Sequence, residues 1–137
     1  MAREFTLSIV APDREIATES VVSVVAPGDE GYFGVQAGHL TMIAALRPGL
    51  LEYLDARNQR KYVYIGGGFA EVRPDRVTVL ADEAHRANDI TVETAELDLD
   101  RARKALRGEE GGAMNGQDAA QEVERAIQRL KAARIAR

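Results

Sequence analysis

The chain has 137 residues, 45% of them hydrophobic, which suits one globular domain or a small domain with an appendage. A net charge of −4 argues against a nucleic-acid binder, and the absence of Cys removes disulfides and thiolate metal sites. No stretch nears the roughly 18 apolar residues of a membrane span, and no apolar run of signal-peptide length opens the sequence. The expectation is a soluble protein that meets a membrane only through a partner. With no Trp and 5% aromatics, its core must come from Val, Leu, Ile and Ala.

The first ninety residues follow a period of two. Phe5, Leu7 and Ile9 share one face of a strand, and Thr6, Ser8 and Val10 the other. Val21-Val-Ser-Val-Val-Ala26 is apolar on both faces and predicts a buried strand. Arg60-Lys-Tyr-Val-Tyr-Ile65 and Arg76-Val-Thr-Val-Leu80 predict two more. Turn signals punctuate the run at Pro12-Asp13, Pro27-Gly28, Pro48-Gly49, Arg57-Asn58, Gly66-Gly67-Gly68 and Pro74-Asp75. Short strands with regular punctuation and no intervening helix mean a sandwich or flattened barrel.

Beyond residue 90, Ala, Glu and Arg take over. Ala95, Leu99, Ala102 and Leu106 repeat at helical spacing, with acids near the start and Arg103, Lys104 and Arg107 near the end. Gly108 is a C-terminal stop, and Gly108-Glu-Glu-Gly-Gly-Ala-Met-Asn-Gly116 a flexible turn. Asp118 and Gln121 have capping-box spacing for a second helix. Val123, Ile127 and Leu130, flanked by Ala120, Ala126 and Ala133, are its expected apolar stripe. The class is therefore α+β, with a β domain over 1–88 and a helical hairpin over 89–137. Such an Ala-rich hairpin buries little apolar area and is a candidate switch.

Several patterns invite a chemical reading. Gly66-Gly67-Gly68 lies between strands and lacks the Lys-Ser/Thr of a phosphate loop, so a turn, bulge or close backbone approach is predicted. His39 and His85, the only histidines, lack metal-ligand spacing. No Ser-x-Gly elbow or Cys nucleophile points to an enzyme. After Glu124 only cations follow: Arg125, Arg129, Lys131, Arg134 and Arg137. That basic end reads either as a solvated helix terminus or as a dock for an acidic partner. Asp98 and Arg101 share a face of the first helix, and Arg125 and Arg129 a face of the second. Either an anion bridges the two arginines, or Glu122 pairs with Arg125 and the charges are solvated.

The two glycine-containing β blocks carry a family resemblance. Gly31-Tyr-Phe-Gly-Val-Gln-Ala-Gly-His39 with Leu46-Arg-Pro-Gly49 is one; Tyr64-Ile-Gly-Gly-Gly-Phe-Ala-Glu-Val72 with Val77-Thr-Val-Leu-Ala-Asp82 is the other. They resemble the epsilon subunit of bacterial F-type ATP synthase, with Tyr32 where the family often has Glu and Ala37 where it has Pro. The resemblance implies a ten-stranded antiparallel β-sandwich or flattened barrel followed by a two-helix hairpin. It implies a non-catalytic stalk subunit that couples proton flow to ATP synthesis through the gamma subunit and the c-ring. Its place would be peripheral, on the cytoplasmic face of the bacterial membrane.

The same resemblance assigns residues. Glu30, Tyr32 and His39 would face gamma or the c-ring. Arg125, Arg129, Lys131 and Arg134 would form an inhibitory basic helix acting on the alpha and beta subunits to restrain ATP hydrolysis. Some members bind ATP in the hairpin through a first-helix motif that Leu97-Asp98-Leu99-Asp100-Arg101-Ala102 matches. Asp98 would accept from the adenine amino group, Arg101 would hold the first-helix side, Arg125 and Arg129 would meet phosphate, and Leu97 and Ala102 would wall the site. ATP is thus the expected regulatory ligand, with no cofactor required. The competing expectation is a stand-alone ATP-sensing module of the same shape, without a motor.

Overall fold

The computed structural model describes residues 3–108 and 116–136. They fall into two units, Met1–Arg86 and Ala87–Arg137.

The described residues of the first unit form seven strands: β1 (Phe5–Ala11), β2 (Arg14–Gly28), β3 (Gly31–Val35), β4 (Met42–Asp55), β5 (Arg60–Arg73), β6 (Arg76–Ala81) and β7 (Ala84–Arg86). The order β1-β6-β5-β4-β2 closes on itself because β1 also pairs with β2, while β3 adds to β2 and β7 to β5. The result is the expected flattened barrel, and closure covers edges that an open sheet would expose. All pairings are antiparallel except β1 with β6, where Thr6 faces Arg76 and Val10 faces Leu80.

The count is seven instead of ten because three strands are long and bend. Proline and glycine mark those bends from inside the strands, not between them. Along β4, Leu46 points into the core on an even position, and Leu51 and Tyr53 on odd ones, with Pro48 between. In β5, Val63 and Ile65 are buried on odd positions, but Ala70 and Val72 on even ones. Gly66–Gly68 absorb that change of parity, as a bulge does. Gly67 and Gly68 have φ of 108° and 136°, and a Cβ on Gly68 would stand 2.2 Å from the carbonyl oxygen of Leu80. Before the kink β5 pairs with β7, and after it with β6. The expected double burial of Val21–Ala26 is partial: Val21, Val24 and Ala26 are buried, whereas Val22 and Val25 are half-buried.

A polar network fastens the β4–β5 hairpin to β2. Asp55 Oδ1 accepts from the backbone N–H groups of Arg57 and Gln59, both at 2.9 Å, which shapes a loop where Asn58 takes φ 61°. Lys61 Nζ lies 3.0 Å from Glu19 and 3.3 Å from Asp55. The hydroxyl of fully buried Tyr53 donates to the other oxygen of Glu19. Burial pushes the Tyr53 hydroxyl far above its ordinary pKa, and its bond to Glu19 adds to that.

The second unit has a 3-10 turn (Ala87–Asp89), α1 (Val92–Leu106) and α2 (Gly116–Ile135). Thr91 caps α1, its Oγ1 accepting from the Thr94 N–H at 3.4 Å. Gly108, with φ 74°, ends it as expected. The rest of the expected glycine-rich turn, 109–115, lies outside the described residues, as does Arg137. Asp118 sits within the first turn of α2 and is not its cap, because the helix begins at Gly116. The helices pack on each other. The buried seam of α2 runs through Ala119, Ala126, Leu130 and Ala133, leaving Val123 half-buried and Ile127 exposed. Small Ala side chains let helices approach closely, so the seam centres on them and the larger side chains fall beside it.

Candidate functional site

The hairpin gathers three of the four expected polar residues. Arg129 Nε lies 3.9 Å from Asp98 Oδ2, so the first turns of α1 face the last turns of α2. Arg129 is also the most enclosed of the set, its side chain 11% exposed against 34% for Asp98. Arg101 is exposed and pairs with no carboxylate among the described residues. Leu97, one turn before it, is 63% exposed, while Ala102 is buried. The basic end of α2 divides in two. Arg125 and Arg129 join this cluster, and Lys131 and Arg134 line an open groove with Arg103, floored by Leu99, Leu130 and Ile127.

A residue that the sequence reading placed only beside Arg125 occupies the centre of the cluster. Glu122 Oε1 lies 2.6 Å from Arg129 Nη2, and its Oε2 lies 3.9 Å from Arg125 Nη1. The helix spacing favours the nearer Arg125. The reach across two turns to Arg129 makes the shorter bond, because both side chains are long enough to meet along one face. The two guanidinium groups thus share one carboxylate.

On the β unit, Glu30 lies at the β2–β3 turn, Tyr32 in β3 and His39 just beyond it; Glu30 and Tyr32 are exposed and His39 half-buried. Tyr32 is tethered, since its hydroxyl accepts from the Leu50 N–H at 3.1 Å. His39 Nδ1 lies 2.8 Å from the Leu40 carbonyl oxygen and donates to it. Glu30 and Tyr32 line an open cleft of about 530 Å³ with Phe33, Met42 and Ile43. His39 lines a separate one with Val35 and Gln36.

A second surface feature escaped the sequence reading. Ala45, Phe69, Leu80 and Val10 are successive cross-strand partners on β4, β5, β6 and β1. They form an apolar row across the outside of the barrel. Phe69 is 57% and Leu80 58% exposed, and Ile43 extends the row from two residues along β4 at 72%. Contiguous exposed apolar side chains of this kind mark an interaction surface.

Residues 4–87 match the family model described as the ATP synthase delta/epsilon chain, β-sandwich domain. The chain belongs to the ATP synthase epsilon chain family. An ATP synthase epsilon chain from Desulforapulum autotrophicum is 40% identical over 95% of this chain and 96% of its own length. One from Desulfatibacillum aliphaticivorans is 42% identical over 80% and 78%. One from Myxococcus xanthus is 35% identical over 96% and 93%. Among solved structures, a chain of the Euglena gracilis mitochondrial ATP synthase (OSCP/F1/c-ring, rotational state 1) superposes with TM-score 0.73 at 26% identity. That match covers 97% of this chain and 81% of the other. A chain from the Tetrahymena thermophila mitochondrial ATP synthase central stalk and c-ring shares the fold, with TM-score 0.61 at 14% identity.

The epsilon-family frame accounts for the division of the molecule into a strand unit and a helical one. Among the described residues no helix is long and apolar enough to cross a membrane, and no cluster of three or more metal-ligating side chains occurs. The outward row could have been found from the alternation of β6 alone, where Val77, Val79 and Ala81 point in and Leu80 therefore points out.

Proposed function

We propose that the chain is a non-catalytic central-stalk subunit of an F-type ATP synthase, peripheral at the cytoplasmic face of the bacterial membrane. Its β unit docks on the gamma subunit and meets the c-ring, and its helical unit restrains ATP hydrolysis by the alpha and beta subunits. The observation that carries the reading is the apolar row through Phe69 and Leu80 on a member of the epsilon chain family. A barrel with a filled core has no structural need of a Phe and a Leu side by side in water. Glu30, Tyr32 and His39 stand on the β2–β3 turn, on β3 and on the loop after it, which we assign to gamma and the c-ring. Arg125, Arg129, Lys131 and Arg134 supply the cations for an acidic face of the hexamer.

The hairpin also serves as a site for ATP. Asp98 meets the base, Arg125 and Arg129 the phosphates, and Arg101 with Leu97 and Ala102 completes the α1 side. The closeness of Asp98 and Arg129 supports this. The test of the braking role is deletion of residues 87–137 in the assembled synthase. Faster hydrolysis with retained gamma binding is the expected result; hydrolysis as slow as in the intact complex would remove the braking role.

A further inference from the structure

We infer that Glu122 is a built-in occupant of the arginine pair, a tethered carboxylate that an incoming phosphate must displace. The inference rests on the reading of Arg125 and Arg129 as phosphate ligands and names what regulates that site. Two guanidinium groups one helical turn apart repel each other and create demand for an anion between them. In this chain the demand is already met. Glu122 places one oxygen 2.6 Å from Arg129 and the other on the side of Arg125, at 3.9 Å. Asp98 closes on Arg129 from the facing helix at 3.9 Å.

Asp98 and Glu122 thus already stand against Arg125 and Arg129. A triphosphate entering that set would bring several negative charges against two carboxylates. Coulombic repulsion is strong where one arginine is only 11% exposed. If Asp98 holds the base, Glu122 is a carboxylate on the arginine pair that can move, its side chain being 33% exposed and able to swing to solvent. Its departure releases the Arg129 Nη2 donor and removes one like charge beside both arginines in the same motion. Glu122 thus sets the threshold at which the hairpin takes up a polyphosphate. A ligand with more phosphate charge competes better, so ATP should outcompete AMP.

The experiment titrates the full chain, wild type and Glu122→Gln, with ATP by calorimetry, and with pyrophosphate by guanidinium NMR. Circular dichroism checks that helicity is kept. If Gln lowers it, Glu122→Asp withdraws the carboxylate from Arg129 and is read the same way. The expected result is ATP binding tightened about tenfold or more in Glu122→Gln, equivalent to about 1.4 kcal/mol. Equal or weaker binding than wild type overturns the inference and leaves the nucleotide reading standing, since Glu122 would then be holding the arginines in place. If neither protein binds ATP at millimolar concentration, the nucleotide reading falls. Pyrophosphate then decides about Glu122. Perturbed Arg125 and Arg129 signals in the variant but not in wild type support displacement; unperturbed signals in both overturn it.

Discussion

Truncating Phe69 should separate docking from folding. Phe69 is 57% exposed, and a Phe side chain can bury about 200 Å². Somewhat over 100 Å² is thus available to a partner. At about 25 cal/mol per Å² full coverage is worth up to about 3 kcal/mol. Alanine keeps Cβ, and interfaces return less than their area suggests, so about 2 kcal/mol is a reasonable expectation for Phe69→Ala. That is roughly a thirtyfold rise in Kd for the gamma subunit. Folding should hardly notice, because surface truncations away from special features usually change stability by under about 0.5 kcal/mol. The assay is calorimetric titration of purified gamma with wild type and variant, beside thermal melts of each. Leu80→Ala should behave alike, and the pair should be non-additive since the side chains face each other across strands. A Phe69→Ala affinity within twofold of wild type would refute the assignment of this row to the stalk contact.

Three further outcomes follow from the barrel. Gly68→Ala should destabilise the fold by about 3 kcal/mol or more, because φ is 136° and the new Cβ meets the Leu80 carbonyl; an unchanged melting temperature would contradict this. Tyr53→Phe should cost about 1.5 kcal/mol in a urea titration, the hydroxyl being the donor to a charged Glu19. The third outcome concerns pH. Burial raises the Glu19 pKa, but the Tyr53 hydroxyl and Lys61 overcome it and hold Glu19 low. Asp55 is lowered first by the Gln59 N–H, against some desolvation, with help from Arg57 and Lys61. Depressed carboxyls stabilise above their unfolded pKa, near 4, and that stability disappears as pH falls through their lower folded values. Lys61 is raised chiefly by Glu19, so its contribution holds below the unfolded value near 10.4 and is lost as pH rises past it. Glu19→Gln should therefore be less stable at neutral pH and flatter below pH 4, measured as denaturation midpoint against pH.

The strands were legible where alternation runs unbroken, as in β1 and β6, and the 3.6-residue rhythm of α1 was equally plain. What resisted reading was parity. Counting outward from Ile65 puts Phe69 in the core, yet the kink at Gly66–Gly68 inserts a step and turns Phe69 out. The same glycines and prolines looked like turns because a residue that permits a bend is the same whether the strand stops or continues. In the hairpin, the face shared by Arg125 and Arg129 followed from helical spacing, but the approach of Asp98 to Arg129 needed the fold. The place of Glu122 did not follow from spacing either, because a pairing two turns apart depends on side-chain reach and on the second helix closing beside it.

The parallel seam between β1 and β6 has a consequence for how the chain comes off the ribosome. β1 is synthesised first, yet its second neighbour is the strand holding Arg76 to Leu80. The β4–β5 hairpin, by contrast, closes over a short loop shaped by Asp55. Local pairing should thus precede ring closure, which must recruit the most distant segments of the unit. Until β6 emerges, one side of β1 and one side of β5 stay open to other chains, the condition in which sheet edges aggregate. Pulse-labelled hydrogen exchange during refolding should protect β4–β5 amides before those of the β1–β6 seam. The opposite order would show that the barrel closes from its ends inward.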